Sequence, residues 1–281
     1  MPFSFDTVTP PEMLTPGTTF AGYTIHDHLN QGMMADIYTA TDLNDEWFVL
    51  RILLPEHQYH WGNVRRFRWG CHVLRQFAHP NVVRFHGDGK FQGRRYAVLE
   101  FVDGANLKEH ILGRDPLLRA HRLQIITGMA AGLAHIHQRG FLHLDFKPEN
   151  IVLTRQHDPK ILDMDLAIAR PRQPKRRPQL SGTPSYLAPE QIMREPVDER
   201  ADIFAFGITA YETLTGKKPV TGNTWQEVME KYTDFDKHLK PLRSHLPDIP
   251  PHLEGIILRC LEKDVQRRYP SMQLVVRDLT K

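Results

Sequence analysis

Cysteine is scarce in this chain of 281 residues: it occurs twice, as Cys71 and Cys260. Two cysteines so far apart exclude a scaffold held together by disulfides, and neither has a second ligand at the short spacing of a zinc site. The histidines, among them His135 and His137, show no zinc-binding spacing with a cysteine. We therefore expect a reducing, cytoplasmic location.

Long apolar runs are also absent. No stretch approaches the ~18 consecutive apolar residues that would span a bilayer. The most apolar window, residues 203–211, is short and is flanked by Asp202 and Glu212, as in a buried core helix. Residues 1–6 lack the basic region and apolar run of a secretory signal. The sequence thus predicts no membrane span.

No charge of one sign dominates. The formal net charge is +3, which is too small to indicate nucleic acid or a membrane surface as a partner. Hydrophobic residues make up 41% of the chain and charged residues 25%, as is ordinary for a soluble globular protein. A chain of this length can bury two cores.

Four motifs stand out from this background. Residues 143–150 read H-L-D-F-K-P-E-N, residues 182–190 read G-T-P-S-Y-L-A-P-E, residues 202–207 read D-I-F-A-F-G, and residues 260–264 read C-L-E-K-D ahead of Arg268. They resemble the catalytic loop, the end of the activation loop, the central helix and the C-terminal signature of protein kinases.

The resemblance runs from about Gly22 to the C-terminus. The sequence of residues 29–38 is most similar to the bacterial branch of the eukaryotic-like Ser/Thr kinases. The combination of Lys147 and Thr183 favours the Ser/Thr class over the Tyr class. In that family an Arg corresponding to Arg268 pairs with the Glu corresponding to Glu190.

The distribution of secondary structure agrees with this resemblance. Short strands are predicted up to residue 100, one of them around 82–85, and a helix near 64–77 interrupts them. The rest is mostly helical, and its predicted helices include 202–215 and 272–279. The predicted fold is therefore α+β and bilobal, with a small β-rich N-lobe and a larger helical C-lobe. We expect a flexible tail over 1–21, the N-lobe over 22–102 and the C-lobe over 103–281.

The resemblance implies four catalytic residues in the C-lobe. Asp145 would orient the attacking hydroxyl and accept its proton, Lys147 would steady the transferring phosphoryl group, and Asn150 and Asp163 would hold magnesium. Asp165 replaces a Gly beside Asp163, and it is either an extra carboxylate at the metal or a residue that stiffens a hinge.

The N-lobe departs from the pattern. The glycine-rich loop that covers ATP phosphates is reduced to Asn30, Gly32 and Ala35. Arg51 stands where the family has the Lys that contacts the α- and β-phosphates, and Arg is not equivalent to Lys. The helix position that should carry its Glu partner is Gly70, which can form no ion pair.

Nucleotide binding is a separate question, because the adenine slot is apolar where the family requires it. The residues that the resemblance places around ATP, with Leu99 at the gate, are Leu29, Gly32, Ile37, Val49, Arg51, Glu100, Val102 and Val152. ATP with Mg is the expected ligand, and a pocket filled by its own side chains is the alternative.

Two features concern regulation and partners. Leu144 replaces the Arg that would clamp a phosphorylated activation loop, so no phosphate-driven ordering through that residue is expected. Residues 170–177 hold five basic side chains, and they form either a solvated loop or a docking strip for an acidic or phosphorylated protein partner. No nucleic-acid partner is predicted.

Two functions are compatible with these residues. The first is a pseudokinase, a protein-interaction module with absent or very weak phosphoryl transfer that nucleotide could gate. The alternative is an atypical active Ser/Thr protein kinase that uses Asp145 as base. The first hypothesis rests on the departures of the N-lobe from the family pattern, because losing a preorganised donor costs on the order of 3 kcal/mol of transition-state stabilisation.

Overall fold

A computed structural model describes residues 13–177, 182–220 and 225–281. These residues group into two compact units, one comprising the chain up to Arg75 together with Arg84–Phe101, and the other comprising Gln76–Val83 together with Val102–Lys281.

The first unit is built on a six-stranded antiparallel sheet in the order β1-β2-β3-β4-β6-β5. Its elements are β1 (Thr19–Phe20), β2 (Tyr23–Gln31), β3 (Ala35–Thr41), β4 (Trp47–Leu53), α1 (Trp61–Leu74), β5 (Phe85–Phe91) and β6 (Arg94–Glu100). Aromatic and β-branched side chains suit the pleated surface and form its core, in which Ile25, Tyr38 and Leu50 are fully buried.

Two local predictions for this unit need correction. The predicted tail is too long at its C-terminal end, because Phe20 pairs with Tyr23 and is buried, and because the Leu14 N–H donates to the Tyr38 hydroxyl. Residues 1–12 of the predicted tail lie outside the described residues. The strand predicted around 82–85 begins later than expected: Val82 belongs to the second unit, where it forms an isolated bridge with Ile161, and the sheet strand of the first unit begins at Phe85.

The second unit is mostly helical. Its helices are α2 (Leu107–Leu112), α3 (Pro116–Ala120), α4 (Arg122–Gln138), α5 (Pro189–Ile192), α6 (Arg200–Thr215), α7 (Trp225–Thr233), α8 (Phe235–His238), α9 (Pro251–Cys260) and α10 (Met272–Leu279). Its short strands are β7 (Gly104–Asn106), β8 (Phe141–Leu142), β9 (Ile151–Thr154), β10 (Pro159–Ile161) and β11 (Ile168–Ala169). β9 pairs with β10 and β7, and β8 pairs with β11.

Helix α6 is the centre of this unit. It is apolar on almost all sides and nearly every residue from Ala201 to Thr213 is buried, as the flanked apolar window predicts. It ends at Gly216, whose φ of +67° is the left-handed conformation that terminates many helices. Helix α6 thus provides a rigid support for the loops that carry the candidate site.

Candidate active site

The loop between β8 and β9 is held by one buried carboxylate. Asp202, near the start of α6, accepts the His143 N–H through Oδ2 and the Leu144 N–H through Oδ1, both at 2.7 Å. Leu144 has a φ of +61°, a conformation that non-glycine residues seldom adopt. The two hydrogen bonds to Asp202 offset that strain and fix the backbone just before Asp145.

Asp202 is charged although it is buried. Burial raises its pKa, but hydrogen bonding and charge attraction from His137 outweigh that effect, and the net result is a pKa below the usual range. The His137 Nε2 lies 2.8 Å from Asp202 Oδ2, and both side chains are inaccessible to solvent. The charged form is therefore the one that accepts the loop N–H groups.

His143 has a defined tautomer. Its Nδ1 accepts the Asp145 N–H at 3.2 Å, so the proton resides on Nε2, which donates to the Leu162 carbonyl at 3.2 Å. Leu162 in turn donates its N–H to the Asn150 carbonyl at 2.8 Å. These bonds connect the loop before Asp145 to the segment that precedes Asp163.

The structure brings three predicted catalytic residues together. Lys147 Nζ lies 2.8 Å from Asp145 Oδ2 and donates to Thr183 Oγ1 at 2.8 Å. Asn150 Nδ2 donates to the Asp145 carbonyl at 2.8 Å and to Asp145 Oδ2 at 3.1 Å. Because Asp145 Oδ2 contacts both Lys147 Nζ and Asn150 Nδ2, the carboxylate has a fixed orientation.

A glycine leaves room beside the other carboxylate oxygen. Gly182 has a φ of +113°, and a Cβ there would lie 2.9 Å from a Leu187 methyl and 3.6 Å from Asp145 Oδ1. Only glycine satisfies both the backbone conformation and the space. The start of the G-T-P-S-Y motif therefore packs closely against Leu187, next to Asp145.

The predicted metal ligands lie at one end of a hairpin. Ile151 of β9 pairs with Ile161 of β10, so Asn150 precedes one strand and Asp163 closely follows the other. The Asp163 Oδ1 accepts the Asp165 N–H at 3.0 Å, which joins the backbone of Asp165 to the predicted metal ligand.

The donor set suits magnesium. A carboxylate and an amide oxygen are hard ligands, and Mg²⁺ is usually bound by one or two such side chains together with substrate phosphates and water. No group of three or more His, Cys, Asp or Glu side chains that could hold a metal occurs in the described part of the chain. A site completed by a nucleotide needs only the two side chains.

The segment after Asp163 is anchored at several points. Met164, which directly follows Asp163, is fully buried. Ile168 and Ala169 form β11, and the next residue, Arg170, donates its backbone N–H to Gly140 at 2.7 Å. Lys175 then pairs with Val197 through two backbone hydrogen bonds of 3.1 and 3.0 Å.

The basic stretch 170–177 is therefore partly attached and partly exposed. Arg172, Lys175 and Arg176 have exposed side chains, whereas the Arg170 guanidinium contacts Glu199 Oε1 at 2.7 Å.

The predicted pair between Glu190 and Arg268 is confirmed. Two parallel hydrogen bonds of 2.7 and 2.9 Å join the guanidinium to the carboxylate, and both side chains are buried. Arg268 also donates to three backbone carbonyls, those of Arg200, Glu262 and Lys263. Every face of this buried charge is thus compensated, as a buried ion requires.

The residues predicted to contact ATP divide between the two units. In the first unit, Ile37 pairs with Arg51 across β3 and β4, and the half-buried Val49 pairs with Thr39. Leu29 and Gly32 lie in the exposed part of β2 and the turn after it.

The remaining predicted contacts lie further along the chain. Glu100 accepts the Arg84 N–H at 2.9 Å through its side chain. In the second unit, Val102 lies just before β7, and the half-buried Val152 pairs with Asn106 and Lys160. The binding roles of these residues stay predictions.

Sequence reasoning missed several side chains near the loop. Glu212 is buried, and it accepts Lys108 Nζ at 2.6 Å and the Tyr186 hydroxyl at 2.5 Å. Burial and the Glu212 charge both raise the pKa of Tyr186, which therefore stays protonated and donates. Glu199 and the function of His137 were missed as well. No motif marks these residues, because each partner lies tens of positions away in sequence.

Comparison with known proteins places these observations in context. The family profile described as protein kinase domain matches residues 23–279. The probable serine/threonine-protein kinase PknB of Lactococcus lactis is 28% identical over 271 residues, which cover 95% of this chain and 43% of PknB. The serine/threonine-protein kinase PknI of Mycobacterium tuberculosis is 34% identical over 212 residues, which cover 74% of this chain and 34% of PknI.

A solved structure agrees with the fold. The crystal structure of the Mycobacterium tuberculosis PknI kinase domain aligns with a TM-score of 0.70 at 28% identity, covering 95% of this chain and 99% of that domain. The predicted α+β kinase fold is thereby confirmed. This chain spans less than half the length of the curated relatives that it matches. No helix among the described residues has the length and apolar character needed to cross a membrane.

Proposed function

Since this chain belongs to the protein kinase family, we propose that it is an active Ser/Thr protein kinase that transfers the γ-phosphate of ATP to a protein hydroxyl. The relatives named above are Ser/Thr protein kinases, and they support this alternative better than the pseudokinase hypothesis does. The observation that carries the proposal is the hydrogen-bonded arrangement of Asp145, Lys147, Asn150 and Thr183.

Asp145 is the proposed general base. Its backbone is fixed through His143 and Asp202, and its carboxylate is fixed by Asn150 and Lys147. A carboxylate held in this way can orient a substrate hydroxyl and accept its proton as the oxygen attacks phosphorus. Its side chain is 14% exposed, so a substrate can reach it.

Lys147 has two partners that bear on the reaction. It joins the base Asp145 to Thr183 in the segment that follows Gly182. A compact ammonium at this place stabilises negative charge that develops on the transferring group. Thr183 accepts from Lys147 and so keeps the ammonium beside the base.

Magnesium fits the residues present. Asn150 and Asp163 would hold it, and when bound it neutralises charge on the phosphates. Asp165 orients Asp163 through its N–H, and a direct metal contact by its carboxylate stays part of the proposal. On the nucleotide side, we carry over as contacts the residues that the resemblance implies: Leu29, Gly32, Ile37, Val49, Arg51, Glu100, Val102 and Val152.

The second candidate function is the nucleotide-gated interaction module. It is favoured by one observation in the first unit: Arg51 packs its guanidinium against the ring of Phe67, and the buried position 70 is a glycine. A kinase in which this position cannot supply a carboxylate is expected to turn over more slowly than the ~1–100 s⁻¹ typical of protein kinases. Slow transfer, rather than none, is what we propose.

Proteins are the proposed partners, with the exposed side chains of the basic stretch as contacts for acidic or phosphorylated segments. Both cysteines are buried, and a reducing compartment stays part of the proposal.

Labelled ATP tests the proposal. The wild type, incubated with Mg²⁺ or Mn²⁺ and a generic protein substrate, is expected to incorporate label, and Asp145→Asn is expected to lower the rate of incorporation about 10²–10⁴-fold. Incorporation that is absent from the wild type, while Mg-ATP still raises its melting temperature, would support the interaction module instead.

A further inference from the structure

A buried chain of polar groups links the start of the basic stretch to the catalytic loop. The Arg170 guanidinium contacts Glu199 Oε1 at 2.7 Å, and Glu199 Oε2 lies 3.9 Å from His137 Nδ1. His137 Nε2 in turn lies 2.8 Å from Asp202 Oδ2. Asp202 accepts the two backbone N–H groups immediately before Asp145.

The contacts among His137, Asp202 and Glu199 are buried, so a change in one of them is not compensated by water. The His137 and Asp202 side chains are inaccessible to solvent, and the Glu199 side chain is 9% exposed. His137 Nδ1 and Glu199 Oε2 face each other, and neither has a hydrogen-bond partner among the described residues. A polar atom left in this state is costly unless its neighbour compensates it. The pair is therefore sensitive to anything that displaces Glu199.

The charges around Glu199 support a defined position. Burial raises the pKa of Glu199, and the negative charges of Asp198 and Asp202 raise it further, while Arg170 and His137 oppose them. Arg170 is the cation in direct contact with the carboxylate, and its side chain is 41% exposed. Loss of Arg170 would leave a buried carboxylate beside two others.

The linkage matters because Leu144 replaces the Arg that would bind a phosphorylated activation segment. The buried leucine cannot attract a phosphate to the activation segment, so that segment needs another attachment to the catalytic loop. The Arg170–Glu199 contact and the backbone pairing of Lys175 with Val197 provide attachments that need no phosphate. Both attachments join the segment to residues just before or at the start of α6.

We propose that Glu199 and Arg170 are positioning residues for phosphoryl transfer, acting through His137 and Asp202 on the loop that holds Asp145. The proposal rests on the kinase function proposed above. In this proposal, the Arg170–Glu199 ion pair orders the activation segment without phosphorylation. Leu144 cannot order that segment, because it lacks the charge of the Arg that the family has at this position.

The test combines kinetics with an activity-independent measurement. Glu199→Gln and Arg170→Gln should each lower kcat about five- to tenfold while the KM for ATP stays within about twofold, since the contact is a partly exposed charged hydrogen bond. Because the two residues act as one unit, the double variant should lose no more than either single variant. Arg170→Lys should recover most of the activity.

Trypsin gives the second measurement. Pro171 follows Arg170, so trypsin does not cut there and Arg170→Gln neither adds nor removes a cleavage site. Cleavage after Arg172, Lys175 and Arg176 should be faster in both single variants, because it follows the opened population of the segment. The control is Arg155→Gln, which removes an exposed 2.7 Å pair with Asp103 elsewhere and should change neither measurement.

The outcomes separate the two proposals. Unchanged kcat in Glu199→Gln and Arg170→Gln, with or without faster cleavage, overturns the positioning proposal and leaves the kinase proposal intact. Multiplicative losses in the double variant overturn it as well. A wild type without transfer overturns the kinase function, and unchanged cleavage in that case also removes the structural linkage.

Discussion

Arg51 lies on β4, and its guanidinium carbon is 5.3 Å from the centre of the Phe67 ring. Phe67 is buried on α1, three residues before the buried Gly70, and so belongs to the same face of the helix. A planar guanidinium stacks on an aromatic face better than an ammonium does. The substitution of Lys by Arg thus has a local reason: it keeps a cation attached to a helix that offers no carboxylate at position 70.

This contact predicts the effect of restoring the family's pair. Arg51→Lys alone should lower kcat/KM for ATP about threefold, because a cation–π contact contributes ~0.5–1 kcal/mol. Arg51→Lys combined with Gly70→Glu should raise kcat/KM above the wild type, since the ammonium then has a carboxylate partner. Steady-state kinetics at varied ATP measures both. An Arg51→Lys variant that outperforms the wild type alone would contradict this role of the ring.

Sequence predicts single residues well where a motif is short. Asp145, Lys147 and Asn150 lie within six positions, and their mutual hydrogen bonds follow from one loop conformation. The contacts of Lys147 with Thr183 and of Lys108 with Glu212 join residues 36 and 104 positions apart. Such contacts depend on the packing of α6 against distant segments, which no local pattern encodes.

At the scale of elements, His79 and His135 connect the segment after α1 to helix α4. Their rings stack with centres 4.9 Å apart. Burial lowers the pKa of both, and for His79 the neighbouring His135 and Lys160 lower it further. The folded chain therefore favours both imidazoles in the neutral form.

The free energy of unfolding should fall as the pH drops below the pKa of histidine in the unfolded chain, about 6.5. The unfolded chain binds protons at histidine near pH 6.5, while the folded chain binds them only at lower pH. The free energy of unfolding is thus highest above about pH 6.5 and decreases as the pH falls from there toward the lowered folded pKa values. Urea unfolding of His135→Gln should show a smaller difference between pH 7.5 and 5.5 than the wild type. The exposed His252→Gln should retain the wild-type difference, and equal differences in all three proteins would contradict the assignment.

The bounds of elements follow sequence most closely where amphipathic or apolar periodicity is long. The helix predicted at 272–279 is observed at those residues, and the one predicted at 202–215 begins two residues earlier. The strand predicted at 82–85 was misplaced because Val82 and Val83 bond to Ile161, a partner that sequence order does not indicate. Apolar runs identify buried segments, but pairing decides whether they join a sheet.

At the scale of the whole molecule, the second unit contains a buried ion pair between two residues that lie far apart in sequence. Glu190 and Arg268 are 78 positions apart and form two hydrogen bonds in a solvent-free environment. The ring of Phe204 lies 4.7 Å from the Arg268 guanidinium carbon. This pair could be predicted from the family resemblance, whereas the three carbonyl partners of Arg268 could not.

Breaking the pair should be costly. Arg268→Met leaves the Glu190 carboxylate buried without its cation, which costs about 3–5 kcal/mol of the free energy of unfolding. The double variant Glu190→Leu with Arg268→Met should recover part of that loss, because no uncompensated charge remains. Urea denaturation followed by circular dichroism measures both, and a double variant less stable than Arg268→Met would contradict this account.

We propose that the catalytic loop still performs phosphoryl transfer, and we would test this claim by measuring the rate of transfer to a protein substrate in the wild type and Asp145→Asn. Asp158→Asn, which removes an exposed carboxylate outside the loop, is the matched control. We predict measurable transfer in the wild type and the control, and a loss of about 10²–10⁴-fold in Asp145→Asn. Equal rates in the wild type and Asp145→Asn, or no transfer by the wild type, would contradict the claim.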